Sequence, residues 1–533
     1  MQAEGRHCDE ALQRLVVTRK SSLSIGRIVH MLGDVSEVNP PVHGIYNPNV
    51  DNAIASVVER VFLVKEGGVW QPPIGDNLSN RAFHEHNIRR LRNKLTRVTP
   101  PVVVMTREQF VESYVGPLRR RYEQACDTVN YRELRGDDFY VRMFLKDEKQ
   151  EVPRPGQPGK APRAIRPMSP ELNLELGRYV KPLEKALYVG LDRLFGLGSV
   201  AKGMNSNQVA ASIVAKWLRL QQGSSEPVSV STDMSRFDQH VSKPALRFVR
   251  DICVAVLQRS GVPPYSVHYF KRLWNRTMDT MNVVSLKDGK IKFRRAGTLC
   301  SGVMYTSLCG VVLTCLVLGS CARYLRIPGF TLISAGDDTN PMMPRRYVGE
   351  FVARLPAWCR QFGFSVKVDG ISHAVEDIEF CRSKPFYDGV EWRMIRNVHT
   401  CLERDLMTSR LDQGEANWKK RLGAIADCGL AMNGGVPVFQ SFYLMMKRAA
   451  GGLKGTLDER NSGFYRMSVG MTTAIAEPSV RSRISFHRNW GITASDQIRL
   501  EEAFDDTTLV YGGPNVNVTF YDLVFRSLYR THG

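Results

Sequence analysis

The sequence predicts an α+β protein. Three observations carry that reading. Strand-like alternation and hairpin signals cluster between Val228 and Met343, helical spacing governs Leu176 to Leu220 and most of the chain past about residue 386, and no internal repeat interrupts them. A chain of 533 residues exceeds what one hydrophobic core usually absorbs, so two or three subdomains are expected.

Taken in order, residues 1–80 are mixed in character and end in a Pro/Gly/Asn-rich stretch, 71–80. Residues 81–97 are strongly basic and read either as a helix lying along a phosphate backbone or as a solvated helix face. Four prolines and two glycines make 151–162 a loop. Leu176, Val180, Leu183 and Leu187, then Val209, Ile213, Trp217 and Leu220, keep helical spacing. Residues 228–231 alternate as a short strand, and 244–258 read as a helix with Pro in its first turn and Gly261 past its end. Residues 281–293 form a hairpin signal around Asp288-Gly289. Residues 305–318 are apolar nearly all round, which predicts a buried helix. Residues 330–343 read as two strands joined by Gly336-Asp337-Asp338, and helices prevail after about 386 with breaks at Gly434-Gly435, Gly451-Gly452 and Gly512-Gly513.

Composition narrows the partners. Lys and Arg number 73 against 53 Asp and Glu, a net charge of +20, which favours a polyanion: nucleic acid or an acidic membrane surface. Eleven cysteines without a Cys-x-x-Cys pair suit reduced, buried thiols, so a catalytic metal is expected on oxygen ligands. The most apolar run, 310–322, falls short of the roughly 20 residues of a membrane span, and the N-terminus lacks a signal-peptide core.

Two acidic clusters stand out: Asp233-Met234-Ser235-Arg236-Phe237-Asp238 after the strand at Val228, and Gly336-Asp337-Asp338 in a hairpin turn. Joining nucleotides requires lowering the pKa of a 3′-hydroxyl and stabilising a leaving pyrophosphate. Two magnesium ions about 3.5–4 Å apart do both, bracketed by carboxylates from different strands. Gly-Asp-Asp alone is more often a plain turn, and Asp233 alone is equally a helix cap. A third element lies between them: Ser301-Gly302-Val303-Met304-Tyr305-Thr306, either a helix cap or a flexible loop with hydroxyls near a sugar.

In this order, Asp-x-x-x-x-Asp, Ser-Gly-x-x-x-Thr and Gly-Asp-Asp resemble motifs A, B and C of positive-strand RNA virus polymerases, with 337 − 233 = 104 residues between the first and third. The run Phe237-Asp238-Gln239-His240-Val241 is similar to the tombusvirus and carmovirus group. Pro162-Arg163-Ala164-Ile165-Arg166-Pro167, 173–179, Lys202-Gly203-Met204-Asn205 and Ile378-Glu379-Phe380-Cys381 look like further landmarks of that group. The likeness spans about residues 45–400.

The resemblance implies an RNA-dependent RNA polymerase shaped as a right hand, with an antiparallel palm sheet flanked by helices. It divides the chain into an N-terminal extension (1–80), fingers (81–227), a palm (228–385, with a fingers insertion at about 259–296) and a mainly helical thumb (386–533). Asp233 and Asp337 would hold two Mg2+ ions, replaceable by Mn2+, with Asp338 assisting. Asp238 would read the ribose 2′-hydroxyl with Ser301 and Thr306 nearby. Lys146, Lys149, Arg163 and Arg166 would line the nucleotide channel, and Lys367 would serve as general acid for pyrophosphate. Implied partners are template and nascent RNA, nucleoside triphosphates and a viral membrane-anchoring replication protein. The expected location is the host cytoplasm, at membrane-associated replication complexes, with no membrane span in the chain itself. Two departures bear on the sugar: Gly310 and Tyr305 stand where relatives carry Asn, so Asp238 is expected to be oriented by Ser301, Thr306, Tyr305 or a water. The alternatives are a reverse transcriptase, against which Asp238 stands where a bulky aromatic is expected, and a non-catalytic RNA-binding replication protein, which has no reason to keep every metal carboxylate.

Overall fold

Alternation decides where the acidic segments sit. The computed structural model describes residues 9–22, 26–32, 43–153, 159–223, 226–409, 414–453, 468 and 470–512, so part of the loop expected at 151–162 lies outside the described residues. Strand β1 (Pro227–Met234) turns Val230 and Met234 into the main core, and its alternate residues Ser229, Ser231 and Asp233 to the other face. With β2 (Thr331–Ser334), β3 (Asp338–Pro344) and β4 (Val366–Ser372) it forms an antiparallel sheet of order β2-β3-β1-β4.

Six helices complete this body, three packed directly on the sheet and three packed on one of those helices. They are α1 (His86–Val98), α2 (Pro170–Phe195), α3 (Ser206–Gln222), α4 (Lys243–Arg259), α5 (Thr306–Tyr324) and α6 (Val348–Arg360). Their starts are written locally. Ser169 accepts from the Leu172 N–H with Pro170 behind it, Asn205 and Gln208 cap each other, and Ser242 caps α4. Ile333 and Met342 pack one sheet face on Ala210, Ile213 and Trp217 of α3. The opposite face meets α5, whose Leu308, Leu313, Leu316 and Leu318 are wholly buried, each contributing about 1.5–3 kcal/mol.

Helix α5 corrects one expectation. It extends past the apolar run 310–322 to 19 residues, long and apolar enough by composition to cross a bilayer, but protein covers most of it here.

A five-stranded sheet packs beside the first, in the order Val16–Arg19, Gly289–Ala296, Asp279–Leu286, Val141–Leu145, Ala164–Ile165. The expected hairpin is present, but its two-residue loop is Lys287-Asp288, and Gly289 already opens the return strand opposite Leu286. Glycine is needed there for another reason: a side-chain carbon would lie 2.3 Å from the Thr18 carbonyl of the neighbouring strand.

Past residue 386 helices do prevail, over Glu415–Asn433, Phe439–Ala450, Val480–Trp490 and Ala494–Asp506. They enclose a separate core of Phe439, Phe442, Phe486 and Phe504, into which Leu32 inserts. A hairpin, Ser383–Tyr387 with Trp392–Arg396, precedes them and was not expected. Its turn signal is Asp388-Gly389, where the Asp388 carboxylate accepts from the Val390 and Glu391 N–H groups at 2.8 Å.

Candidate active site

Register brings the two acidic clusters together. Asp338 of β3 lies directly opposite Asp233 of β1, and Lys367 of β4 faces Asp233 from the other side. Opposite residues share a face, with side-chain roots about 4.5–5.5 Å apart. The three therefore form one row across the sheet, with Asp337 beside it in the turn. Lys367 is exposed, with its Nζ 3.7 Å from Asp369.

The turn is held from behind. Gly336 has φ +115°, a conformation that side chains avoid. Its N–H donates to the Ser334 Oγ at 3.2 Å, and its carbonyl accepts from the Thr339 Oγ1 at 2.9 Å. The Thr339 hydroxyl also lies 2.9 Å from Ser334 Oγ, and Thr314 of α5 approaches that oxygen at 3.3 Å. Ser334 is tied at its backbone as well, to Ser199 and Ala201. Lys216, only 5% exposed, donates to the carbonyls of Gly196 and Leu197 and to the Ser199 and Thr331 hydroxyls, fixing the loop against β2.

Crowded like charges perturb the carboxylates. Burial raises the Asp233 pKa most, Asp369, Asp337 and Asp338 add to it, and Lys367 opposes. Crowding and then Asp337 raise Asp338, while the Cys381 thiol, hydrogen-bonded to it, pulls the other way. Cys381 and Arg382 reach it from a tight turn in which both have positive φ. Water reaches the Asp238 carboxylate, yet protein surrounds it on most sides; that crowding raises its pKa, Asp337 adds to it, and Arg166 and Arg163 pull it back. Among the described residues, no three His, Cys, Asp or Glu side chains gather into a self-sufficient metal cage. The donor set nevertheless suits magnesium, which takes one or two carboxylates and leaves its other positions to water and phosphate.

The loop before α5 lies against the Arg163–Pro167 segment. Ser301 Oγ accepts from the Arg166 N–H at 3.0 Å, and a side-chain carbon at Gly302 would stand 2.5 Å from the Pro167 Cα, which demands glycine. Asn173 of α2 clamps the loop through the Gly302 carbonyl and the Met304 N–H, both at 3.0 Å. The Arg166 guanidinium is 7% exposed; it donates to Asn282 and Thr298, and its remaining terminal nitrogen has no partner among the described residues. Lys146 and Arg163 flank Glu148, at 2.8 and 3.6 Å.

Three sequence expectations change. Lys149 does not face the carboxylates freely: its ammonium donates to the Arg404 and Met407 carbonyls, both at 2.8 Å, and braces two distant segments. The Thr306 hydroxyl is spent on the Cys300 and Val303 carbonyls, closing the first turn of α5. Tyr305 is buried, stacked on Trp274 and hydrogen-bonded to Thr277 at 2.6 Å, so it does not orient Asp238. Sequence reasoning also missed Arg60. Burial, then Arg236 and Arg163, lowers its pKa to about 10; one terminal nitrogen donates to the Ala161 carbonyl at 3.3 Å, and its buried Nε has no partner among the described residues. Its only local signal is a charged pair, Glu59-Arg60, inside the apolar run 53–64.

A cavity of about 890 Å³ between α3, Trp392 and Arg488 carries none of these groups, and its Arg345 and Arg488 are already paired with Glu226 and Glu376.

The sheet thus gathers an acidic row, with Asp238 and its two arginines close to Asp337. The chain belongs to the viral RNA-dependent RNA polymerase family, whose model matches residues 30–511. It is 32% identical over 491 residues to an RNA-directed RNA polymerase of Groundnut rosette virus (strain MC1), covering 90% of this chain and 54% of the relative. Similar relatives come from Turnip crinkle virus (30% over 494 residues; 91% and 60% covered) and Carnation mottle virus (30% over 472; 87% and 59%). The chain thus spans a little over half the length of these relatives.

Proposed function

We propose that this chain replicates a positive-strand viral RNA genome by template-directed, two-metal nucleotidyl transfer from nucleoside triphosphates. The observation that carries the reading is the cross-strand pair Asp233–Asp338 with Asp337 beside it, and Asp238, close to Asp337, faced by Arg163 and Arg166. Asp233 and Asp337 would hold two Mg2+ ions, replaceable by Mn2+, with Asp338 in support. When bound, the ions lower the pKa of the 3′-hydroxyl and stabilise charge on the leaving pyrophosphate.

The chain's own side chains do the rest. Lys146, Arg163, Arg166 and the newly recognised Arg60 neutralise and orient the triphosphate. Lys367 hands a proton to the departing pyrophosphate. Asp238 accepts a hydrogen bond from the ribose 2′-hydroxyl, with Ser301 free to donate beside it, and Thr306 acts through the loop it closes.

In this reading residues 81–227 are fingers, 228–385 palm with the insertion at about 259–296, 386–533 thumb, and 1–80 an extension. Lys149 becomes a strut between fingers and thumb. A viral membrane-anchoring protein would bring the enzyme to replication complexes in the host cytoplasm.

The purified chain, given an RNA template, ribonucleotides and magnesium, should form a full-length complementary RNA. Synthesis of DNA in preference would favour a reverse transcriptase, and RNA binding without synthesis a non-catalytic replication protein.

A further inference from the structure

The groups around the carboxylates account for little of the +20 net charge. Five of the chain's 73 Lys and Arg stand on α1. Arg89, Arg90, Lys94 and Arg97 are all exposed, and the helix contains no acidic residue. Arg90 and Lys94 lie four residues apart on one row, and Arg89 and Arg97 flank Asn93 on the next. Among the described residues none of the four has a carboxylate partner. Such like-charged neighbours on one helix row repel each other. Elsewhere the chain avoids this cost: in helix Gly116–Tyr131, Arg119 pairs with Glu123 at 2.9 Å.

The helix is anchored by its other face. Ile88 and Leu95 are fully buried, and Leu91 meets Gly319 of α5. One turn beyond Gly319, Arg323 is exposed. Next to it Tyr324 keeps 48% of its surface, with the Arg354 guanidinium 5.1 Å from its ring centre. This region is remote from the carboxylates. Gly310 lies against the Gly336 turn, and Arg323 is thirteen residues further along the same helix, about 20 Å at 1.5 Å per residue.

We propose that the exposed face of α1, with Arg323, Tyr324 and Arg354, is a second binding surface for single-stranded RNA, outside the catalytic centre. It holds the phosphate backbone through cations without carboxylate partners, three of the four on α1 being arginine, and offers Tyr324, its ring packed on Trp358, to a base. A lipid surface fits less well, because no large apolar side chain between residues 81 and 98 is exposed for insertion. The proposal rests on the polymerase reading only for the source of the RNA.

The test uses the full chain with Arg89, Arg90, Lys94 and Arg97 all changed to Gln, which keeps helix propensity and removes the repulsion. A charge-retaining version, the three arginines changed to Lys, serves as control, and thermal unfolding checks the fold of both. Binding of a labelled oligouridylate of about 30 nucleotides is followed against salt. The Gln variant should bind at least tenfold more weakly at low salt, with a log–log salt slope smaller by about two to three. The Lys control should keep the slope, and Tyr324→Ala should weaken binding without changing it. Incorporation at the centre should be unchanged on a template too short to reach α1.

An unaltered slope in the Gln variant overturns the proposal. So does a variant that keeps its RNA slope but no longer floats with phosphatidylserine vesicles, which assigns the face to a membrane. If wild type makes no RNA yet the slope shifts, the surface stands and the polymerase reading fails; synthesis with an unshifted slope means the reverse.

Discussion

Asp233 and Asp338 face each other across one pair of strands, but the structure supports their two segments by different means. Asp233 sits within a strand paired on both sides, so backbone ladders fix its position whatever its neighbours' side chains are. Asp337 and Asp338 hang on a turn whose glycine is satisfied by hydroxyls from Ser334 and Thr339, with Thr314 of α5 behind them. A ladder tolerates substitution. A turn satisfied by side chains inherits every weakness of those side chains.

The largest expected effects ignore that difference, because they remove charge. Asp233→Asn and Asp337→Asn should each lower nucleotide incorporation by about a thousandfold or more, while circular dichroism and RNA binding stay as in wild type. The loss belongs in turnover, since the missing charge stabilises the transition state. Robust synthesis by either variant in magnesium would remove it from the metal site.

Next in size is Asp238→Ala. A lost hydrogen bond to the 2′-hydroxyl costs about 1–3 kcal/mol, roughly ten- to a hundredfold in choosing ribonucleotides over deoxyribonucleotides. The ratio of the two incorporation efficiencies reads this directly. An unchanged ratio would take the sugar-reading role away from Asp238.

The comparison itself is sharpened by buried hydroxyls. Ser334→Ala leaves the Gly336 N–H without a partner and should cut turnover about tenfold with little change in the Michaelis constant for nucleotides. Thr339→Val should act similarly, and Thr339→Ser should recover most of the loss. Thr232→Val removes a hydroxyl from the strand side, bonded to the Thr339 carbonyl at 2.6 Å, and should cost under threefold, because the ladder remains. Equal effects on the two sides would erase the distinction.

That distinction also separates what the sequence reveals from what it hides. Alternation around Val228, the Gly-Asp-Asp turn and the capped helices are local patterns, legible from a few neighbouring residues. The α+β class and the buried α5 followed from such patterns, whereas the meeting of the two acidic clusters followed from the order of three motifs and the resemblance they carry. Lys149, Thr306 and Tyr305 fared differently because their partners cannot be read from spacing: Lys149 reaches carbonyls more than 250 residues away, and Tyr305 pairs with Thr277. Arg60 and the Ser334–Thr339–Thr314 hydroxyls were invisible for the same reason, since ordinary residues become consequential only through distant neighbours. The hairpin at 383–396 is a different failure: its Asp-Gly signal was present but outweighed by the helical pattern around it.

The smallest expected effect concerns Gly310, where the resemblance leads one to expect Asn. A side-chain carbon there would lie 3.5 Å from the Gly336 Cα and 3.8 Å from the Phe237 ring, ordinary van der Waals contact. Close packing therefore does not demand glycine at this position, and Gly310→Ala should keep synthesis within about twofold. It should also stabilise the helix by about 0.5–1 kcal/mol, because glycine loses more backbone entropy on folding than alanine. Thermal unfolding checks the stability gain and steady-state incorporation the activity. Gly310→Asn asks more. With Tyr305 and Thr306 both occupied elsewhere, the Asp238 carboxylate has no hydrogen-bond partner among the described residues, and an amide entering between the turn and Phe237 approaches it. If that amide reaches Asp238, discrimination against deoxyribonucleotides should rise by a few-fold while turnover holds. A marked fall in turnover for the alanine variant would show instead that the Gly336 turn cannot bear even one added carbon behind it, and that α5 must stay bare at this point for the acidic turn to keep its shape.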